Sequence, residues 1–403
     1  MKIKGRHLLV LIGMCGMLGA SVGLGTNVAG LFFSPVAEDF GIMKGSVSLT
    51  LTVSNLVFAF SGLLAAKILN ENSFKPILVI GTALMAGSTA LMAMASNVMM
   101  LYVLNAVKGF AGGMLGFVLA TTVINHWFYD FNGLATSIAM GTSGLVGALF
   151  SPIISSFIQS SGWRTGYLMT GAMMAVLCLP AILFVPCINP RSKGLSSLGS
   201  PIIKEVSEGG EKAAVQAEKP DGFIMMLVML FAVVAGASTA LPQHFPGLAE
   251  SYALVPAVGA SMLSVCMITN TASKVVMGVL IDRIGAKLSS LLYVGCVFAA
   301  VILFLVLRVS GVMVVSAGMF GLSYALGTVA IAMLTKELFG LENYGAVYPK
   351  VSLVCTVANA LLSSVVGYLY DFTGGYTVTL ILYAVLLGCA FAAVIIAYGR
   401  KKA

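Results

Sequence analysis

Lys108, Lys274 and Lys350 stand inside long apolar stretches of the chain, and no carboxylate stands inside one with them. A lysine in the middle of a spanning helix costs roughly 2.5–3.5 kcal/mol on insertion scales, so each needs a partner or a route to water. The acidic residues are Glu38, Asp39, Glu71, Asp130, Glu205, Glu208, Glu211, Glu218, Asp221, Glu250, Asp282, Glu337, Glu342 and Asp371, and all fall in polar loops or at the ends of apolar runs. Buried charges are paired or neutralised. Three interior cations without an interior anion leave the countercharge to a cargo. The expected ligand is therefore a small anion, a carboxylate rather than a cation or a sugar.

The elements that would hold these lysines are membrane spans. Hydrophobic residues make up 59% of the 403 positions and charged residues only 9%, with mean hydropathy +1.03. Soluble domains carry about 25% charged residues, so the chain is a polytopic membrane protein and the lipid bilayer is its first partner. The formal charge of +8 fits basic loops facing anionic lipid and calls for no nucleic acid. Cys15, Cys178, Cys187, Cys266, Cys296, Cys355 and Cys389 show no CxxC spacing. They read as small buried hydrophobes, without a disulfide framework or a metal site. His7, His126 and His244 sit near span ends at unrelated places, and no nucleophile–base or metal constellation points to an enzyme. No cofactor is expected. The basic N-terminus runs into an apolar stretch without a cleavage site, so that stretch is expected to remain as the first span.

A spanning helix needs about 20 apolar residues. Twelve runs meet that length, at about 7–33, 46–68, 75–95, 98–124, 133–159, 164–186, 222–243, 256–281, 288–307, 311–334, 345–369 and 377–398. The predicted fold is an all-α membrane protein of twelve transmembrane helices in two pseudo-symmetric six-helix bundles. The N-terminal bundle covers 1–188, a cytoplasmic linker 189–221, and the C-terminal bundle 222–403. The linker is rich in Ser, Gly, Lys and Glu and reads as flexible. With both termini in the cytoplasm, sixteen Lys and Arg residues fall on inner segments and three (Lys44, Arg164, Arg308) on outer ones. That asymmetry sets the expected orientation in the cell inner (plasma) membrane.

The halves echo each other. Gly62 and Lys67 at the end of span 2 parallel Gly278 and Arg283 at the end of span 8, and Gly162–Trp163 parallels Gly375–Tyr376, at offsets of 216 and 213 residues. A parallel repeat of this kind places a substrate site near the midplane between the halves. A single copy suffices for such a site, so a monomer is the simplest expectation.

With these residues in hand, the chain resembles the major facilitator superfamily. Gly278, Leu280, Asp282, Arg283, Gly285 and Lys287 match its cytoplasmic signature G-x-L-x-D-R-x-G-x-K. The resemblance implies that Gly278 lets helices approach closely and that the charges latch neighbouring helix ends. The copy between spans 2 and 3 keeps Lys67 and Lys75 but lacks the acidic–basic pair. Finer points resemble the monocarboxylate transporter and oxalate/formate antiporter branch. These are Gly30 to Pro35 with Phe40–Gly41 and Val47–Ser48–Leu49, Trp127–Phe128 with Gly133–Leu134–Ala135, Gly162–Trp163–Arg164, Glu337–Leu338–Phe339–Gly340, and Tyr370–Asp371 with Gly375–Tyr376. Asn132 stands where that branch usually has a basic residue.

In that branch an Arg four residues before the signature glycine binds the substrate carboxylate, and Lys274 holds that position here. Asn270, one turn earlier, stands where some relatives carry Asp. Lysine replaces a bidentate fork with a compact point charge. Against substrate contact stands snorkelling, since Lys274 is about two turns from Asp282. The antiporter branch also has a lysine on helix 11 facing the cavity. Lys350 is its counterpart by span, beside Pro349, and it can equally snorkel or pair with Glu342. Lys108 sits mid-span ahead of Gly109, Gly112, Gly113 and Gly116, which permit tight packing; it faces a cavity or is neutral. Asn27, Asn55, Tyr324 and Asn359 offer hydrogen bonds to a carboxylate or to neighbouring helices. The resulting expectation is a secondary active transporter of small organic anions such as oxalate, formate, lactate or pyruvate. It would work by alternating access, as antiport or proton-coupled symport. The alternative is an efflux pump for hydrophobic drugs or amphipathic metabolites.

Overall fold

The structure, a computed structural model, describes residues 5–129, 132–199 and 221–402, and those residues form helices without a β-strand. Among these described residues, ten helical segments are long and apolar enough to cross a membrane. Two of them, Leu134–Phe184 and Pro256–Val306, are 51 residues long. A straight helix of that length would run to about 76 Å, against a hydrocarbon core of about 30 Å. Each is broken near its middle, at Gly162 (φ 82°, ψ 165°) and at Gly285 (φ 81°, ψ 162°). That backbone region is essentially confined to glycine. Each long segment is therefore two helices joined at a glycine, each long enough for one span. Gly340 (φ 75°, ψ 168°) makes the same break between spans 10 and 11.

The chain divides into two compact units, Met1–Lys204 and Glu205–Ala403. In the first, span 1 packs on the Leu134–Phe184 segment, span 3 on span 6, and span 2 on span 4. In the second, span 7 packs on spans 11 and 12, and span 8 on span 10. The cores are aliphatic and aromatic, with Met14, Met17, Leu18, Phe74 and Trp127 buried in one unit and Phe231, Phe245, Phe304 and Phe320 in the other.

Several spans expected to be continuous are not. Span 1 is α-helical over Gly5–Leu18, turns to π geometry over Gly19–Leu24, and resumes after a turn as a 3-10 stretch, Ala29–Phe32. Span 7 breaks at the 3-10 stretch Leu241–His244, framed by Pro242 and Pro246. Span 4 breaks after Met114, and span 10 passes through a π stretch, Leu326–Ala330. Non-helical backbone inside an apolar span is tolerated only where it is buried in protein or lines a polar cavity. These four interruptions are thus the first structural pointer to where each unit does its work.

Composition assigns 189–221 to a linker, but residues 189–199 pack on the first unit. Pro190–Lys193 forms a 3-10 turn capped by Asn189. The Glu71 carboxylate accepts the backbone N–H groups of Ile188 (3.1 Å) and Asn189 (2.6 Å). His7 bonds the Ser196 carbonyl, and Leu198 exchanges backbone hydrogen bonds with Trp127 and Tyr129. Residues 200–220 of the expected linker lie outside the described residues.

A Cβ at Gly285 would meet no heavy atom within 4 Å, so only the backbone conformation resists a side chain there. Gly285→Ala is expected to lower unfolding stability by about 1–3 kcal/mol. Gly375→Ala, also in open space and without a positive φ, is the control that leaves it nearly unchanged. Thermal unfolding in detergent compares the two.

Candidate functional site

In the first unit Lys108 lies in span 4, only 7% exposed. Among the described residues its ammonium has neither a hydrogen-bond nor an ion-pair partner. Its position is fixed by the crossing of spans 2 and 4. A Cβ at Gly109 would come within 2.3 Å of the Ser54 carbonyl oxygen, and one at Gly113 within 2.2 Å of that of Phe58. The two backbones touch, as the glycine run implies. Asn105, one turn before Lys108, bonds the Leu101 carbonyl at 2.9 Å. Asn27 sits in the turn of span 1 and donates to the Ser143 carbonyl at 3.2 Å. It holds the interrupted helix against span 5.

In the second unit Lys274 is half-buried in span 8, and it too lacks a hydrogen-bond or ion-pair partner among the described residues. Asn270, one turn earlier, is 5% exposed. Among the described residues its Nδ2 meets only the Met267 sulfur, at 3.9 Å, and its buried Oδ1 has no donor. Tyr293 donates to the Ser273 carbonyl at 2.8 Å, pinning span 9 to span 8 beside Lys274. The Tyr324 hydroxyl shares a hydrogen bond with the Gln243 side chain. Gln243 is 3% exposed and belongs to the broken stretch of span 7. Asn359 donates to Thr239 at 2.8 Å, which makes it an interhelical tie. Lys350 is different from the other two lysines: its side chain is exposed. Glu342, the partner considered for it, has its side chain outside the described residues.

The signature turn is held otherwise than its charges suggest. Asp282 and Arg283 are exposed and have no hydrogen-bond or ion-pair partner among the described residues. The latch is Glu337, at the end of span 10. One carboxylate oxygen accepts the Ala286 N–H at 3.0 Å, directly after the Gly285 break, and the other accepts the Tyr398 hydroxyl of span 12. Lys287 lies 5.7 Å from the Tyr398 ring centroid, and Lys401 donates to the Glu337 carbonyl. A Cβ at Gly278 would meet nothing within 4 Å, so close helix approach is not its role here. At the start of span 7 Arg400 pairs with Asp221 at 2.8 Å. That hydrogen bond, with the Phe223 N–H, holds the Asp221 carboxyl below its ordinary range. The tie is complete above the ordinary carboxylate pKa and is lost as pH falls through the lowered one.

The sequence profile described as Major Facilitator Superfamily matches residues 15–348. The chain belongs to that superfamily. Among curated proteins it is 27% identical to monocarboxylate transporter 2 of Rattus norvegicus over 42% of this chain and 35% of that protein. It is 28% identical to the oxalate:formate antiporter of Oxalobacter formigenes over 37% of this chain and 35% of that one. The match thus spans about a third of the length of these relatives. Monocarboxylate transporter 13 of Rattus norvegicus aligns over 87% of this chain and 80% of its own length, at 24% identity. A crystal structure of a mutant of the nucleoside transporter NupG superposes with a TM-score of 0.72 at 15% identity, covering 98% of this chain and all (100%) of that one. A bacterial homologue of the lysosomal transporter Spinster, inward-facing and occupied, gives 0.71 at 13%, covering 98% of both chains. At such identities the structures speak for the fold alone.

Two features of this superfamily member escape a reading for spans and charges. Gln243 is uncharged and lies at a span end by hydropathy; the flanking Pro242 and Pro246 were the available signal for a broken helix. Glu337 looks like an ordinary loop acid until its two acceptor bonds are seen. Glu337→Ala strands the Ala286 N–H and the Tyr398 hydroxyl and is expected to cost about 1–3 kcal/mol. Asp282→Ala, at an exposed and unpartnered position, should stay within about 0.5 kcal/mol. Unfolding midpoints of the purified variants distinguish the two.

Proposed function

We propose that this protein is a secondary active transporter of small organic anions, monocarboxylates or short dicarboxylates, working by alternating access. The observation that carries the proposal is that Lys108, buried, and Lys274, half-buried, stand in apolar spans, one in each unit, without an acidic partner among the described residues. An ammonium taken out of water needs a countercharge. A cargo carboxylate supplies it, and the site then discriminates against cations and neutral sugars through charge alone. The names of the monocarboxylate and oxalate:formate relatives point to the same substrate class. Lys274 is the proposed carboxylate ligand of the second unit, with Asn270 and Tyr324 offering hydrogen bonds, and Lys108 that of the first, with Asn27. Lys350, being exposed, is assigned to the water or headgroup boundary.

The superfamily and the names of its relatives favour transport over enzymatic chemistry. The segments make this a multi-pass membrane protein, and the excess of basic residues on alternate loops supports the inner (plasma) membrane with cytoplasmic termini. Both exchange of one anion for another and proton-coupled symport are consistent with the lysine chemistry. Counterflow in proteoliposomes with labelled oxalate, formate, lactate and pyruvate is the direct test. Uptake of at least one is expected, and Lys274→Gln should reduce it by about 100-fold or more while the protein still folds. That magnitude corresponds to the 3–5 kcal/mol of a broken buried charge pair. Undiminished uptake by the glutamine variant would remove Lys274 from the site.

A further inference from the structure

One buried titratable side chain lies outside the carboxylate site: His244, 2% exposed, at the end of the 3-10 break of span 7. An ionisable group inside a span is costly to keep and is by default a functional position. The fold does not require it. The matching 3-10 break of span 1, Ala29–Phe32, ends in Phe32, and a short helix opening on Phe33 follows, as Phe245 follows His244. Phe32 stacks on Tyr167 at 3.9 Å, and Trp163 lies edge-on to the same tyrosine. In the second unit Tyr376 stands where the repeat has Trp163, and its ring lies 6.1 Å from that of His244. The same corner is thus built once around a phenylalanine and a tryptophan, and once around a histidine and a tyrosine.

The ring has a defined side on which it takes a proton. Its Nε2 is 2.8 Å from the Ser363 carbonyl, which can only accept, so that nitrogen carries the hydrogen and the lone pair of the neutral ring is on Nδ1. The titratable groups around the ring lead to the surface. Tyr376 is 2% exposed, and its ring lies 4.8 Å from that of Tyr370. Burial, then Tyr370 and the carboxylates of Glu250 and Asp371, hold the Tyr376 hydroxyl well above its ordinary range. It stays protonated, and passes a proton only by taking one up as it gives one away. Glu250 is exposed and Asp371 half-buried. On the other side His244 follows Gln243, which is bonded to Tyr324 of span 10, with Cys266 of span 8 beside that tyrosine.

We infer that His244 is the proton-carrying residue of the transport cycle, loaded from Glu250 and Asp371 through the Tyr370–Tyr376 pair. The inference rests on the anion-transport reading above and adds a coupling residue to it. The balance is one proton for one monocarboxylate. A proton from the solution on the Glu250 side is taken up on Nδ1, the carboxylate is bound, and both leave on the other side. The imidazolium charge gained with the proton cancels the charge brought by the carboxylate, so each cycle moves no net charge. Histidine suits this task because its unperturbed titration lies between about pH 5 and 8.

The test separates coupling from transport, in proteoliposomes that hold a pH-sensitive dye and are given labelled formate, lactate or pyruvate. In the unsubstituted protein an inward gradient of about one pH unit should raise accumulation up to about tenfold, the limit for one proton per monocarboxylate, and acidify the lumen. His244→Gln should lose both signals, while its counterflow at equal pH on the two sides stays within about threefold, because exchange does not require the proton to leave. Tyr376→Phe keeps the ring, removes the hydroxyl, and should slow the dye signal. If the glutamine variant does not fold, His244→Phe, the residue the first unit has at that place, is measured instead. Equal loss of counterflow and gradient-driven uptake would make His244 a packing residue and overturn the inference. Accumulation that survives the substitution, or that ignores the gradient in the unsubstituted protein, would overturn it as well. Absence of counterflow for every carboxylate would instead bring down the transport reading on which it stands.

Discussion

A positive charge held in an apolar span without a countercharge is the constraint around which this molecule is arranged. Lys108 and Lys274 are positioned by different means. One is set by the backbone contact of spans 2 and 4 at Gly109 and Gly113, the other by Tyr293 anchoring span 8 through the Ser273 carbonyl. In both cases the surroundings fix the helix and leave the ammonium without an acceptor among the described residues. Such a residue is a poor contributor to stability, because no described residue offsets its desolvation.

The ends of the spans follow the opposite rule, with polar groups satisfied closely. Glu71 collects two backbone N–H groups at the close of span 6, and Glu337 collects the first N–H after Gly285 together with a tyrosine hydroxyl. Glu337 thereby does the work of an N-cap for span 9, where unpaired donors concentrate, and Glu71 ties down the loop that leaves span 6. The exposed Asp282 and Arg283, by contrast, contribute little to either unit as it stands.

How much of this was legible beforehand depends on the kind of signal. Spans are written in composition, because about 20 apolar residues are needed whatever the neighbours are, and the ends of the runs fall close to the observed helices. Lys108 and Lys274 stood out for the same reason. The interruptions of spans 1, 7 and 10 did not, since apolar residues are equally compatible with α, π and 3-10 backbone, and only Pro242 and Pro246 mark one of them. Glu337, Gln243 and the placement of 189–199 depend on partners 51 or more residues away, or on contacts across helices, which periodicity does not encode. The exposure of the Lys350 side chain was not legible either, because an apolar run does not say which of its faces is covered.

The breaks at Gly162 and Gly285 bear on how the chain enters the bilayer. Each reverses the chain through a single non-helical residue, so spans 5 and 6, like spans 8 and 9, are joined with no slack between them. Joined so tightly, the two members of each pair are suited to enter a bilayer as one helical hairpin, and the cost of the lysine in span 8 is then set against the apolar run of span 9 as well as its own.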